Sequence, residues 1–346
     1  MKLFSNRIKL LAFAVAVAAS VSFSSCEGIY NYEGDCSKTY EVGVKYTYNI
    51  LDANAFASQV KSITMLVYDK SGNLVYHNSE SGSGLDSDNY TMPIDVEPGT
   101  YDIIVWAGLQ EGNSFALNNG NLPSTIQDAI CEMNRVIKDE QHSSNSKLNS
   151  LFHGMATNVV IKDNEEIGRI RVADINLTKN TNNIRVMLTH NNEELIDPDN
   201  FTFSITAGNG RMNYDNSLLN DNPIIYGEHT KYDLPTVSIE EQDTRSTVTL
   251  TNSMMAELDM ARLMSDANSR LVINRSDSED PVLSLPLTQL LLAAKGEAKR
   301  NMGDQEYLDR QDEYTLVFFL NDDNGWNMSA GIYINGWHIL LQNSNL

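Results

Sequence analysis

Apolar and polar residues alternate along much of this chain, which is the pattern of half-buried β-strands. From Tyr40 to Ile50 the residues at even positions are apolar or aromatic, and Glu, Gly, Lys, Thr and Asn fill the five positions between them. Two further β-rich runs, Ser62–Tyr68 and Leu74–His77, flank the turn Asp69–Asn73. We therefore predict a strand over residues 40–50 and a hairpin over residues 62–77.

A second hairpin is predicted a little further along the chain. Its strands are Tyr90–Val96 and Tyr101–Ala107, with Pro98-Gly99 between them. Proline presets φ at the second position of a type II turn, and glycine accepts the positive φ of the third. The pattern thus predicts a type II turn at this point.

One segment has helical spacing instead. Within Ser124–Glu140 a single helical face carries Ile126, Ile130, Met133 and Ile137. Ser124 or Thr125 is a suitable N-cap, so we predict a connecting helix there. Shorter helical segments are predicted at Leu287–Ala294 and Asp304–Gln311.

The later part of the chain returns to strand patterns. The candidates are Ile167–Ile175, Asn183–His190, Phe201–Ala207, Arg245–Thr251, Arg270–Ile273 and Tyr314–Leu320. Short strands separated by turn residues in both halves predict an all-β protein of two tandem β-sandwich domains with short helical insertions. We place the domain boundary in the charged stretch Asp163–Glu166, giving domains of residues 26–165 and 166–346.

The first 25 residues have the layout of a lipoprotein signal peptide. Lys2, Arg7 and Lys9 precede an apolar run from Leu10 to Val21, which is too short to span a membrane. The run leads into Phe23-Ser24-Ser25-Cys26, which resembles a bacterial lipobox whose cysteine is acylated and becomes the first mature residue. Plain secretion with a chance cysteine is the alternative.

Charge limits the partners of the chain. The formal net charge is −21, and removal of the basic leader makes it more negative. Such a surface argues against nucleic acid and against anionic headgroups as partners, so membrane attachment would rest on the acyl chains of Cys26. If Cys26 is acylated, two cysteines remain, Cys36 and Cys131, in an oxidising compartment. They could form a disulfide, or Cys131 could be a buried free thiol, and the sequence leaves both alternatives open.

Signatures of catalysis and metal binding are missing from the sequence. The histidines are scattered, at His77, His142, His153, His190, His229 and His338. They have no zinc-ligand spacing, and the chain contains neither a Cys-x-x-Cys pair nor a Gly-x-Ser-x-Gly elbow. We interpret His153 as a packed residue rather than a base, and predict no metal site and no enzyme.

The order of several short motifs resembles the FimB-type fimbrial anchor lipoproteins, in the fimbrillin group of Bacteroides-type bacteria. The motifs follow one another along the mature chain as Asp35-Cys36, Asn54-Ala55-Phe56, Leu66–Asn73, Pro98–Tyr101, Val105–Gly108, Leu151–Gly154 and Asn183–Val186. None is specific alone, and the resemblance rests on their order and spacing.

This resemblance implies a structural role. It implies two transthyretin-like β-sandwich domains at the base of a fimbria, no cofactor, and attachment to the outer membrane through Cys26. The implied partners are fimbrial stalk subunits, joined by β-strand addition, and the implied effect is on fimbrial length. The implied location is the outer membrane, at the cell surface or within the fimbrium.

The distribution of arginines bears on this role. The resemblance implies that polymerising members of the family lose their lipid and first strand to an arginine-specific protease. The first arginine after Cys26 in this chain, however, is Arg135. We therefore expect the chain to keep its anchor and its first strand. The apolar segment Gly331–Leu341 is suited either to donation to a neighbour or to a last internal strand.

A glycan-binding surface lipoprotein of a polysaccharide-uptake system is the alternative function. It would need several aromatic side chains on one face, and the candidates are Trp106, Trp326 and Trp337. Trp106 lies in an apolar strand pattern and is expected in the core. Trp326 follows an Asn- and Asp-rich turn and is the better candidate for exposure.

Overall fold

The computed structural model describes residues 38–163, 168–190, 195–242 and 247–340. The chain divides into two compact units. The first consists of residues 1–40 and 164–170, of which the described residues are the starts of two strands. The second consists of residues 41–163 and 171–346 and contains the architecture described below.

Strands dominate the described residues. The first ten are β1 (Lys38–Lys45), β2 (Ser62–Tyr68), β3 (Leu74–Ser81), β4 (Thr91–Ile94), β5 (Gly99–Ala107), β6 (Phe115–Leu117), β7 (Cys131–Met133), β8 (Val136–Lys138), β9 (Gln141–Ser144) and β10 (Phe152–Ile161). One short helix, α1 (Phe56–Gln59), lies between β1 and β2.

The later part adds thirteen strands and three short helices. The strands are β11 (Gly168–Asn176), β12 (Thr178–Lys179), β13 (Thr181–His190), β14 (Phe201–Ala207), β15 (Arg211–Met212), β16 (Ile224–Gly227), β17 (Thr230–Glu240), β18 (Thr247–Ala261), β19 (Arg270–Arg275), β20 (Leu283–Pro286), β21 (Glu313–Leu320), β22 (Ile332–Ile334) and β23 (Trp337–Ile339). The helices are α2 (Leu287–Ala293), α3 (Gly296–Lys299) and α4 (Asp304–Arg310).

The described strands form five sheets. Their strand orders are β11-β1-β4 (sheet I), β12-β10-β5-β2-β3 (sheet II), β17-β18-β13-β21-β22-β23 (sheet III), β20-β19-β14-β16-β9-β8 (sheet IV) and β15-β7-β6 (sheet V). The predicted β-rich class with short helices is therefore confirmed. The arrangement as two tandem transthyretin-like domains, divided between residues 165 and 166, stays a prediction.

Sheet IV joins strands that are far apart in sequence. β9 lies parallel to β16, with His142 opposite Ile224 and Ser144 opposite Tyr226. β8 then pairs antiparallel with β9 and forms the end of the sheet. Strands from before the predicted boundary thus complete a sheet built mainly from strands after it.

One large apolar cluster forms the main core of the second unit. It contains side chains from β2 and β5, such as Tyr68 and Trp106, together with Tyr226 from β16 and Phe318 from β21. A smaller apolar cluster on β13, β18, β21 and β22 consists of Met187, Leu250, Met255, Val317, Phe319 and Tyr333. Burial of this apolar area drives the sheets together.

Most predicted strands and both short helices are confirmed. The first hairpin forms from β2 and β3, with Leu66 opposite His77. In its turn the Asp69 carboxylate accepts the N–H groups of Ser71 and Asn73, and the bond from Asn73 lowers the pKa of Asp69. The strand predicted over residues 40–50 is present as β1, but it ends at Lys45.

The helix predicted over residues 124–140 is wrong. A single 3-10 turn, Ile126–Asp128, is followed by β7 and β8. In β7 the side chains alternate, since Cys131 and Met133 are buried on either side of half-buried Glu132. Over so short a segment the spacing of the apolar residues fits both the period of an α-helix and that of a β-strand. The segment forms a strand because β7 pairs with β6 and β15.

The second predicted hairpin is also wrong. β4 joins β1 in sheet I, whereas β5 pairs with β2 and β10 in sheet II. Gly99 begins β5 without a positive φ, so no type II turn forms. The Tyr101 hydroxyl folds back over Gly99 to donate to the Glu97 carbonyl and lies 2.8 Å from where a Cβ would stand, so a larger residue at position 99 would require this side chain to move.

Candidate functional site

The predicted anchoring residue lies outside the described part of the chain. Cys26 and Cys36 both belong to residues 1–37, of which nothing is described. Cys131 is fully buried in the main core, and burial raises the pKa of its thiol. Acylation of Cys26 and the pairing of Cys36 with Cys131 therefore stay predictions.

The first described strand is well built into the protein. β1 lies between β11 and β4, and its side chains Val42 and Val44 are buried. Just beyond it, the ring of Tyr46 packs edge-on against Phe152 at 5.1 Å between centroids. Removal of this segment would expose apolar surface on both of its neighbours.

The C-terminal apolar segment is internal in this structure. β22 pairs with β21, with Val317 opposite Tyr333, and β23 folds back on β22. Ile332 and Ile334 are fully buried. Of the two interpretations of residues 331–341, this geometry is that of a last internal hairpin; Leu341 lies outside the described residues.

A sheet can accept another strand only at an edge, so the edge strands are the candidate sites for strand addition. Among the edge strands whose side chains are all described, β8 has the most exposed apolar side chains for its length. Val136 is 61% and Ile137 is 62% exposed, and Lys138 is exposed as well. By contrast, the exposed positions of edge strand β3 are Val75, His77, Ser79 and Ser81, which are mostly polar.

The position of β8 is fixed by a tight turn. Asp139 and Glu140 join β8 to β9, and both have positive φ, 51° and 65°. Two successive residues with positive φ are typical of a type I′ turn, whose twist matches that of a hairpin. The β8–β9 hairpin is therefore a defined element, not a loose loop.

An ion pair fixes the other end of β8. Both terminal guanidinium nitrogens of Arg135, Nη1 and Nη2, donate to the Asp221 carboxylate, at 2.6 and 2.8 Å. The same carboxylate accepts the backbone N–H groups of Gly210 and Asn222. The side chains are only 12% and 3% exposed, and hydrogen bonding to Asp221 raises the pKa of Arg135.

A groove of about 380 Å³ lies beside the hairpin. Val136 and Arg135 line one side of it. The remaining lining is largely hydroxyl and amide side chains, among them Asn113, Ser114, Asn134, Ser143 and Asn149. The groove can take a small side chain that is apolar or hydrogen-bonding.

In a second, polar cleft most of the charged side chains are paired within the chain. Lys179 pairs with Asp312, and Arg185 pairs with Glu313 at 3.1 Å. The Asp259 carboxylate accepts the N–H of Leu148 and the side-chain amide of Asn183, both at 2.8 Å. These bonds hold the loop before β10 against β13 and β18, so the cleft has a structural role.

His153 is a packed residue, as predicted. It is 4% exposed, stands edge-on to Trp106 at 4.6 Å between ring centroids, and donates from Nε2 to the Tyr214 carbonyl at 2.8 Å. Burial lowers its pKa to about 4, so the ring is neutral at pH 7. It has neither the access nor the partner that a general base needs.

The aromatic platform expected of a glycan binder is not supported by the tryptophans. Trp106 is fully buried in the main core. Trp326, the better candidate for exposure, is half-buried and packs edge-on against Phe318 at 6.2 Å between centroids. Trp337 stands over Gly296, whose Cβ position would lie 2.9 Å from the indole ring.

Neither a metal-binding cluster nor a membrane-spanning helix is present among the described residues. No cluster of three or more His, Cys, Asp or Glu side chains among them is placed to bind a metal ion. Within the same residues, every helix is too short or too polar to cross a membrane.

The sequence did not predict the exposed edge that the fold creates at β8. The sequence pattern gives Val136 no role and places Ile137 on one face of the predicted helix. The available signal was the run Val136-Ile137-Lys138 before two acidic turn residues and a polar run from 141 to 146. It was too short to distinguish a strand from a helix.

Solved structures provide close structural relatives. A Bacteroides thetaiotaomicron protein provisionally described as an adhesin has 30% identity and a TM-score of 0.71, over 88% of this chain and 97% of that chain. Another structure from this organism, provisionally described as polysaccharide-binding proteins, has 27% identity and a TM-score of 0.73, over 90% and 100%. The fimbrial anchor protein Mfa2 from Porphyromonas gingivalis shares the fold at 16% identity, with a TM-score of 0.60 over 89% and 100%.

Sequence comparison gives the family. No curated protein matches the chain. The profile of one family, described as fimbrillin-A associated anchor proteins Mfa1 and Mfa2, matches residues 32–343. This match covers most of the chain, and the Bacteroides thetaiotaomicron relative with 30% identity aligns over 97% of its own length. The chain therefore belongs to the Mfa2 family of fimbrillin-A associated anchor proteins.

Proposed function

We propose that this protein holds a fimbria at its base, attached to the outer membrane through lipid on Cys26. In this proposal it consists of two transthyretin-like domains, contacts stalk subunits by β-strand addition, and affects the length of the fimbria. The family match over residues 32–343 carries the proposal. This is a family of structural, non-enzymatic proteins that associate with fimbrillin subunits at the cell surface or outer membrane.

The signal sequence supports the membrane part of the proposal. Cys26 follows a basic start and a short apolar run, as expected for an acylated cysteine. Two or more acyl chains hold a protein stably at a membrane, whereas one holds it reversibly. With this anchor the acidic surface of the chain needs no attraction to lipid headgroups.

Replacement of Cys26 tests the anchor. Cys26→Ala, expressed in cells that make the fimbria, should release the protein and its fimbriae into the medium. Cys131→Ala is the matched control, because its thiol is buried and unavailable for acylation; this variant should leave both on the cell. Fimbriae that stay attached to Cys26→Ala cells would refute the proposal.

The buried first strand supports retention of the N-terminal segment. β1 is central in its sheet, and the sequence has no arginine between Cys26 and Arg135. The intact mass of the protein taken from outer membranes should correspond to a chain beginning at acylated Cys26. A chain beginning beyond Ile50 would contradict this expectation.

A glycan-binding function has one observation in its favour, the likeness to a structure provisionally described as polysaccharide-binding proteins. The burial of Trp106 and the packing of Trp326 on Phe318 remove the stacking surface it would need. We therefore retain the fimbrial role as the conclusion.

A further inference from the structure

We propose that an extended segment of a fimbrial subunit adds to sheet IV at β8, and that Ile137 provides the backbone contact. This inference rests on the proposed function, which it deepens by naming the edge that meets the fimbria. It is carried by the backbone of β8, the exposure of its side chains and the rigid support beneath it.

The turn geometry shows which backbone groups of β8 are directed outward. In a two-residue hairpin the residues next to the turn, here Lys138 and Gln141, exchange hydrogen bonds with each other. The next pair, Ile137 and His142, is then a non-hydrogen-bonded pair. The N–H and C=O groups of Ile137 therefore face away from β9, toward the position of an added strand.

Both faces of the edge are open to a partner. Successive strand residues point to opposite faces, so Ile137 lies on one face and Val136 with Lys138 on the other. All three side chains are exposed. Val136 borders the 380 Å³ groove, which offers a place for one side chain of an added strand.

A turn and an ion pair hold β8 in position without a bound strand. The turn at Asp139 and Glu140 sets the twist of the hairpin, and the bidentate bond from Arg135 to Asp221 fixes its base. β9 is in turn paired with β16. A rigid edge loses little conformational entropy on binding, so more of the interaction energy appears as affinity.

The extent of the edge argues for a fimbrial subunit over a second copy of this chain. Antiparallel pairing of β8 with itself, centred on Ile137, would place each Val136 opposite a Lys138 and involve only three residues per copy. A stable dimer needs about 800 Å² from each partner. A stalk subunit can add a strand here and make further contacts elsewhere, and the family associates with fimbrillin subunits.

The occupant should be extended and should place apolar side chains where it meets Ile137 and Val136. Cross-strand apolar pairs stabilise such an addition, and the groove beside Val136 would take a small apolar, Ser or Thr side chain. Burial of Ile137 would also remove an apolar edge that otherwise promotes aggregation.

Binding to isolated fimbriae tests the inference. The probe is fimbriae purified from cells that lack this protein, and the ligand is the purified chain. Ile137→Pro removes the outward N–H while leaving the pairs at Val136 and Lys138. We expect it to weaken binding about tenfold, and Ile137→Thr, which keeps the N–H, to weaken it about two- to threefold.

Val160→Thr is the matched control, because Val160 is a 55% exposed β-branched residue on another strand, β10. It should leave binding unchanged. If the unaltered chain binds fimbriae and Ile137→Pro binds equally well, the inference is wrong while the proposed function stands. If the unaltered chain does not bind fimbriae at all, the proposed function fails as well.

A cross-linking experiment guards against misfolding of the proline variant. Ile137→Cys, labelled with a thiol-linked photoreactive group, should form an adduct with a fimbrillin subunit identified by mass spectrometry. Val160→Cys and Val75→Cys, labelled in the same way, should not. Equal adducts from all three positions, no adduct from 137, or an adduct from 137 only to a second copy of this chain would overturn the inference.

Discussion

Removal of the Arg135 guanidinium should destabilise the protein and loosen the β8 edge. Arg135→Met keeps most of the aliphatic length of the side chain and deletes the charge. The Asp221 carboxylate, 3% exposed, would then keep only the N–H groups of Gly210 and Asn222. A buried charge without its partner is much less favourable than the pair.

The size of the effect follows from these contacts. Breaking a buried pair costs about 3 to 5 kcal/mol. Because two backbone donors remain on Asp221, we expect the lower value, about 3 kcal/mol. A chain of this size has an unfolding entropy of about 0.7 kcal/mol per kelvin, so the unfolding midpoint Tm should fall by about 4 °C.

A double-mutant cycle in urea measures the coupling. Asp221→Asn removes the charge but keeps an oxygen for the N–H of Gly210, so Arg135→Met/Asp221→Asn should recover about half of the loss, about 1.5 kcal/mol. Exposed Lys70, 3.3 Å from Asp102, provides the control through Lys70→Met, which should cost under about 1 kcal/mol. A cost for Arg135→Met equal to that of Lys70→Met would refute the reasoning.

Two further predictions concern residues of the core. In the folded protein His153 has a pKa of about 4, below its ordinary value, so as the pH falls the unfolded chain binds a proton at this residue before the folded chain does. The free energy of unfolding should therefore fall by about 3 kcal/mol as the pH drops from about 6.5 to about 4. His153→Gln should lack this component in denaturation at a series of pH values, whereas exposed His77→Gln should retain it; identical profiles would contradict the assignment. Gly108 has a φ of +97°, and a Cβ there would lie 1.9 Å from the Ser150 carbonyl oxygen, so Gly108→Ala should cost about 3 kcal/mol or more. Gly120→Ala, with a φ of +83° and nothing within 4 Å, should cost only about 1 kcal/mol in the same urea assay.

Sequence patterns predicted local structure well where both partners of a strand pair are neighbours. The hairpin of β2 and β3 needs only the Asp69 turn and two apolar runs, so it could be predicted from residues 62–77 alone. The helices α2 and α4 also formed where short helical patterns stood between strands. These elements depend on contacts within a few residues.

Sequence patterns did not predict the structure correctly where the partners of a strand lie far away in the sequence. The apolar residues between Ile126 and Ile137 satisfy a helical period, yet the segment is divided among a 3-10 turn, β7 and β8. β7 is a strand because β6 and β15 lie beside it. Likewise, β4 and β5 look like a hairpin in sequence, but their partners β1 and β10 place them in different sheets.

The sequence by itself determined the β-rich class and the resemblance to fimbrial anchors, and it predicts an export signal ending at Cys26, because each is written in a short run or in an ordered set of short runs. Only the tertiary structure decided that β9 lies beside β16 and leaves β8 as an open edge. The residues concerned are about eighty positions apart, from Ile137 to Asp221 and Ile224. Their pairing depends on burial and hydrogen bonds that exist only once the sheets have assembled, so no local pattern contains it.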